Sequence, residues 1–148
     1  MSRQVAAPAP PRPRCDLASR AQVHDLVVDF YREIVFDDVL APIFEEVAEV
    51  DWAAHIPRLI DYWCRILFGT MDYAGAVSAA HRHLHQKSAI GPEHCDRWHE
   101  LWVAAVDRAA VGPTAEHAKA HAATLMAGMA RHIFGYGWTP PSGRPEST

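Results

Sequence analysis

Apolar residues recur at three- and four-residue spacing along almost the whole chain, and this pattern is the strongest constraint on the fold. Segments that show it are separated by glycine and proline, and no convincing alternation of apolar and polar residues indicates a β-strand. The spacing puts apolar side chains on one face of an α-helix, which must pack against another element. The sequence therefore predicts an all-α protein.

Four long helices are predicted, and residues that favour helix ends mark several of their boundaries. Ser19 is a suitable N-cap for the first helix, and Gly69 stops the second. Pro92, which follows a glycine, suits the first position of the third helix. The approximate predicted ranges are 19–35, 51–68, 92–110 and 114–134.

The chain of 148 residues is 49% hydrophobic, which is enough to build one core and predicts a single domain. We expect residues 1–18 to form a disordered tail rich in proline and alanine, in which little can be buried. Residues 137–148 are expected to form a second disordered tail, which leaves 19–136 as the folded domain.

Charge and cysteine content narrow the possible partners and the location. A net charge of −4 creates no strong field for nucleic acid. The chain also lacks a run of about 18 apolar residues, the length that a membrane-spanning helix needs. Three widely separated cysteines, an odd number, favour reduced thiols and a cytoplasmic location over a disulfide framework.

Ten histidines and five tryptophans suit a buried, partly polar cofactor site. His117 and His121 are four residues apart and could chelate a metal, although a solvated helix face explains them more simply. His81, His83 and His85 alternate, so on a helix they scatter and at most one of them addresses a single buried site. Phosphate-binding loops and the GxSxG and HExxH motifs do not occur.

Four segments, in this order, resemble those of truncated globins, and most closely the group III branch. The first has an inward tyrosine and a later phenylalanine, and the second has a tryptophan three residues before a distal histidine. The third carries the proximal histidine, and the fourth a tryptophan that reaches the distal pocket. The segments are FYREIVFDDVLAPIF (30–44), DWAAHIPRLIDYWCRILFG (51–69), YAGAVSAAHRHLH (73–85) and GPEHCDRWHELW (91–102).

This resemblance implies a truncated globin-like 2-on-2 helical sandwich around haem b, an iron protoporphyrin IX. It makes His81 the proximal iron ligand, with His85 as the fallback. On the distal side it implies that Tyr31 and Trp98 are hydrogen-bond donors to a bound ligand. His55 would bond the ligand, coordinate the iron or gate the pocket.

Four further residues are assigned to the cofactor: Phe44, at the end of the short helical turn after the first helix, and three residues of the second helix. Phe44, Leu59 and Trp63 are expected to wedge the porphyrin and exclude water. Arg58, next to the inward face, is the candidate for pairing with a haem propionate, because a guanidinium suits a carboxylate geometrically.

The predicted function is binding of O₂, NO or CO at a haem iron that can be pentacoordinate. Donors in a dry pocket would hold O₂ tightly, which suits chemistry or sensing better than bulk oxygen transport. The alternative is an NO dioxygenase or a peroxidase-like enzyme, which would need a separate reductase. An alternative of another class is a haem-free helical module or a non-haem metal binder.

Overall fold

The computed structural model describes residues 15–43, 52–69 and 90–144 of the chain. Four α-helices account for most of these residues, and no strand occurs within the three ranges. The prediction of an all-α protein is therefore confirmed. The helices are α1 (Arg20–Val35), α2 (Trp52–Phe68), α3 (Pro92–Ala109) and α4 (Pro113–Met129).

Helix ends lie close to where the local sequence predicts them. The Ser19 hydroxyl accepts a hydrogen bond from the backbone N–H of Gln22, as an N-cap does. Gly69 follows α2 with a φ of +71°, a conformation that glycine adopts without steric cost. Pro92 occupies the first turn of α3, where its missing N–H costs no hydrogen bond.

The last helix differs from the prediction in its final turn. Residues Ala130–Phe134 form a π-helix instead of continuing α4 to residue 134. The N–H groups of Gly135 and Tyr136 both bond to the Ala130 carbonyl, at 2.8 and 3.0 Å. Gly135 has a φ of +92°, so a residue that tolerates the left-handed region ends the element.

The helices pack as two pairs, α1 with α2 and α3 with α4, and α1 also lies against α3. Three alanines of α4, Ala115, Ala118 and Ala122, are almost completely buried and let its backbone approach the neighbouring helices closely. The largest fully buried side chains come from α1 and α3, which therefore form the centre of the core: Phe30, Leu26, Ile34, Val23, Val27, Trp102, Val106 and Cys95.

The residues just before α1 are folded where the structure describes them, although the sequence places them in the disordered tail. Leu17 is buried. The Asp16 carboxylate accepts hydrogen bonds from the N–H groups of Thr114 and Ala115, at 2.9 and 2.8 Å. These bonds cap α4 and, led by the one from Thr114, hold the pKa of Asp16 below its usual value. The cap joins positions almost a hundred residues apart, which local sequence patterns do not reveal.

Residues 137–144 also pack on the helices, in contrast to the disorder that their composition predicts. Trp138 is buried, and its indole N–H donates to Asp96 on α3 at 2.8 Å. Arg144 forms an ion pair with the same carboxylate, and this bond is the main cause that lowers the pKa of Asp96. Trp138 and Arg144, which share the Asp96 carboxylate, thus dock a segment that is rich in proline.

Among the described helices, none combines the length and the apolarity that crossing a bilayer requires.

A buried carboxylate ties the end of α1 to α3. The Asp37 side chain is only 4% exposed and accepts a hydrogen bond from Arg97 Nε at 2.6 Å. It also accepts from the backbone N–H groups of Val39 and Leu40. A charge that is removed from water needs such partners, because an unpaired buried carboxylate is costly. The pair therefore fixes the turn that follows α1.

Replacing Arg97 by methionine is expected to lower the free energy of unfolding by about 1–3 kcal/mol, because it leaves Asp37 buried without its cation. The matched control is Arg108→Met, which removes the ion pair with Asp29, where both side chains are more than a third exposed. That change should cost less than about 1 kcal/mol. Denaturant unfolding of the two variants measures both values, and equal losses would contradict the argument.

Candidate functional site

A pocket with a cavity volume of about 20 Å³ lies among the four helices and is partly open to solvent. Its walls are almost entirely aliphatic and aromatic. A concave apolar site with few polar groups is typical of a small-molecule or cofactor site. The lining residues are Val27, Phe30, Tyr31, Leu59, Tyr62, Trp63, Trp98, Trp102, Leu125 and Met129.

Tyr31 lies on the inner side of α1 and lines the pocket, as the sequence predicts. Its ring packs edge-on against Phe30 and Trp52, each at 5.1 Å between ring centroids. Burial raises the pKa of Tyr31 far above its ordinary value, because an apolar site disfavours the phenolate. The hydroxyl therefore stays protonated and can donate a hydrogen bond.

Trp98 reaches the pocket from α3, one turn before Trp102. Phe30 meets its indole at right angles with a centroid distance of 5.8 Å. The indole lies parallel to that of Trp102, at 6.4 Å. Within the described residues, no hydrogen bond engages the Trp98 N–H, so this donor is available to a ligand.

His55 is half-buried on α2 and closes a small aromatic cluster. Its ring lies 5.6 Å from that of Tyr31 and 5.9 Å from that of Trp52. The structure therefore brings Tyr31 and His55 together, and Phe30 links this cluster to Trp98.

The remaining predicted cofactor residues divide into three groups. Leu59 and Trp63 line the pocket. Arg58 is exposed on α2. Phe44 and His81, together with the fallback ligand His85, lie outside the described residues.

A hydrogen bond that the sequence analysis missed crosses from α2 to α4. The Tyr62 hydroxyl lies 2.6 Å from Nε2 of His121. Burial lowers the pKa of His121, and the neighbouring His117 lowers it further, so the imidazole is neutral at physiological pH. In the sequence, the inward position of Leu125, one turn after His121, is the feature that could have indicated that His121 also faces the core.

The predicted pair of His117 and His121 is split between two environments. His117 is exposed, whereas His121 is half-buried against Tyr62 and Trp63. The part of the chain that the structure describes contains no group of three or more His, Cys, Asp or Glu residues that could hold a metal ion. The interpretation as a solvated helix face is therefore correct for His117 but not for His121.

Tryptophans of α2 and α3 form a stack, which their spacing in the sequence predicts only in part. Trp63 of α2 and Trp102 of α3 overlap at 4.5 Å with an angle of 20° between their planes. The Trp102 N–H donates to the Ala118 carbonyl of α4 at 3.1 Å. Flat aromatic surfaces with few polar groups fit the faces of a porphyrin, and the donors of Tyr31 and Trp98 fit a small polar ligand beside it.

Comparison with known proteins agrees with this architecture. The family model described as bacterial-like globin matches residues 16–134. A solved structure, the group III truncated hemoglobin from Campylobacter jejuni, is similar with a TM-score of 0.71 and 19% sequence identity. The likeness covers 84% of this chain and 98% of that one, and at this identity it shows the fold. No match was found among curated proteins.

The helical fold is that of a globin of the truncated kind. This chain belongs to the bacterial-like globin family, whose model covers most of its length. The resemblance that the four sequence segments indicate is thereby confirmed. Membership of a globin family implies a haem cofactor and the binding of small gas molecules.

The electrostatic coupling between the two α4 histidines can be tested directly. Because a positive charge on His117 disfavours a second one nearby, His117→Gln should raise the pKa of His121 toward the ordinary value of 6.5. NMR titration of the imidazole resonances measures this change. His132→Gln, which removes another exposed histidine, is the control and should leave the pKa of His121 unchanged. Equal effects of the two variants would exclude the coupling.

Proposed function

We propose that this protein binds haem b in the aromatic pocket and there holds O₂, NO or CO. The observation that carries the proposal is the pair of donors, Tyr31 and Trp98, on an otherwise apolar wall. When bound, the haem would supply an iron that can coordinate a diatomic gas. The walls of the pocket would exclude water and keep the local dielectric low.

The distal donors would determine how long a gas stays bound. In a pocket of low dielectric, a hydrogen bond to a polarised ligand is stronger than in water. Tyr31 is held by aromatic neighbours on two sides, which limits the rotation of its ring. The proposed result is tight O₂ binding with slow release.

The other site residues would position the cofactor. His81 would be the proximal ligand, while Phe44, Leu59 and Trp63 would contact the faces of the porphyrin. The ring contacts of His55 with Tyr31 favour a role at the distal edge, bonding the ligand or closing the pocket. Arg58, exposed on α2, would reach a haem propionate.

The proposed location is the cytoplasm. Cys15, Cys64 and Cys95 are all free thiols, as a reducing compartment would keep them. An enzymatic role, either NO dioxygenation or reduction of peroxide, would require a separate reductase or another electron donor.

The proximal assignment is tested by visible absorption spectra of the haem-reconstituted protein, ferric and then reduced, with and without CO. The wild-type protein should give a strong Soret band that shifts when CO binds. His81→Ala should lose most of its haem or its axial ligation, because the iron would lose its proximal imidazole. The matched control, His85→Ala, should keep the wild-type spectrum.

Two outcomes would contradict the assignment in different ways. A featureless spectrum of the wild-type protein after reconstitution would overturn haem binding. A wild-type spectrum for His81→Ala, together with loss of the haem in His85→Ala, would move the ligand to the second histidine.

Tyr31→Phe is expected to raise the O₂ dissociation rate about tenfold, the effect of losing roughly 1.4 kcal/mol of hydrogen-bond stabilisation. Stopped-flow displacement of O₂ by CO measures the rate. Tyr136→Phe removes a hydroxyl that bonds to the Ile90 carbonyl and does not line the pocket, so the rate should not change. An unchanged rate in Tyr31→Phe would show that Tyr31 does not bond the ligand.

A further inference from the structure

An unbroken series of aromatic rings runs along the pocket wall from the donor Trp98 on α3 to Tyr62 on α2. Trp98 lies parallel to Trp102 at 6.4 Å, and Trp102 stacks on Trp63 at 4.5 Å. Trp63 in turn contacts Tyr62 at 5.6 Å. Electrons tunnel readily between aromatic rings at such distances, and tryptophan and tyrosine are the side chains most easily oxidised by one electron. The series is therefore a path for charge.

The series ends at a residue that can release its proton as well as an electron. Oxidation makes a phenol strongly acidic, so a tyrosyl radical forms readily only where a base accepts the proton. His121 Nε2 lies 2.6 Å from the Tyr62 hydroxyl, and the lowered pKa of His121 keeps it neutral and able to accept. The ring of His117, which is exposed, lies 6.3 Å beyond it.

Two other donors, Trp102 and Tyr136, differ from Tyr62 in this respect. The N–H of Trp102 donates to the Ala118 carbonyl, and the hydroxyl of Tyr136 donates to the Ile90 carbonyl. A backbone carbonyl accepts a hydrogen bond but does not take up a proton. An oxidised Trp102 would therefore keep its proton and pass the charge on to Tyr62, where the proton can move to His121.

We propose that Tyr62 is a redox-active relay in the pocket wall, which takes up one-electron oxidation through the neighbouring tryptophans and releases its phenolic proton to His121 on α4, and so gives the protein peroxidase activity toward small phenols. The relay rests on the proposed function, because the oxidant is peroxide that reacts in the haem pocket.

Each relay step moves one electron and one proton. Tyr62 gives one electron through Trp63, Trp102 and Trp98 to the oxidant that peroxide generates in the haem pocket. It gives its phenolic proton to His121 Nε2. A phenol at the surface then gives one electron back to Tyr62, which recovers its proton from His121, and the phenol loses its own proton to solvent. Two such steps reduce one H₂O₂ to two H₂O, with two protons taken from solvent, and convert two phenols to two phenoxyl radicals.

The experiment is freeze-quench EPR of the haem-reconstituted ferric protein after mixing with H₂O₂. The wild-type protein should show a tyrosyl radical, and Tyr62→Phe should reduce its signal at least tenfold. Tyr136→Phe, the matched control with a carbonyl partner, should keep the full signal. His121→Gln accepts the same hydrogen bond but not the proton, so it should also reduce the signal at least tenfold. Oxidation of guaiacol, followed by absorbance, should fall in parallel.

The outcomes distinguish a failure of the relay from a failure of haem binding. Soret spectra with and without CO are recorded on the same samples, and a protein without a haem spectrum would overturn the proposed function itself. If the haem spectra are normal and Tyr62→Phe keeps a full tyrosyl signal, the relay is wrong and the pocket assignment stands. A full signal in His121→Gln would overturn the role of His121 as the base.

Discussion

Trp102 of α3 is the residue on which the rest of the structure depends, because its indole contacts each of the other three helices. It stacks on Trp63 of α2, meets Phe30 of α1 at right angles, and donates its N–H to the Ala118 carbonyl of α4. The side chain is almost completely buried. Large aromatic area supplies the hydrophobic stabilisation, and the single polar atom is satisfied, so burial carries no hydrogen-bond penalty. The same indole also forms part of the pocket wall.

Polar contacts determine how the ends of the helices are held around this centre. Asp16 caps α4, Asp37 bonds to Arg97, and Asp96 holds both Trp138 and Arg144. Each carboxylate joins parts of the chain that are far apart in sequence. Among the described residues, no buried side-chain nitrogen or oxygen lacks a hydrogen-bond partner. The fold thus combines a non-directional aromatic core with directional bonds at its periphery.

The pocket and the aromatic series along its wall are consequences of the same packing. Stacked rings that exclude water also bring oxidisable side chains within tunnelling distance of one another, and α4 sets His121 against Tyr62. Gas binding at Tyr31 and Trp98 and charge transfer through Trp102 would therefore share one set of aromatic residues. Only charge transfer would use the Tyr62 hydroxyl, because this group bonds to a base, His121, and not to a carbonyl.

Sequence alone determined the helices, most of their ends, the family and the inward position of Tyr31. The helices and their inner faces depend on a local 3.6-residue period, the ends on capping residues, and the family on four segments that occur in a fixed order. The helical period placed Leu59 and Trp63 on an inward face, and the resemblance to truncated globins assigned Trp98 to the pocket; all three line it. Only tertiary structure decided which distant groups meet: the Tyr62–His121 bond, the Asp16 cap and the docking of Trp138. Helix periodicity predicts which face is buried, but the partner across an interface depends on how whole helices pack.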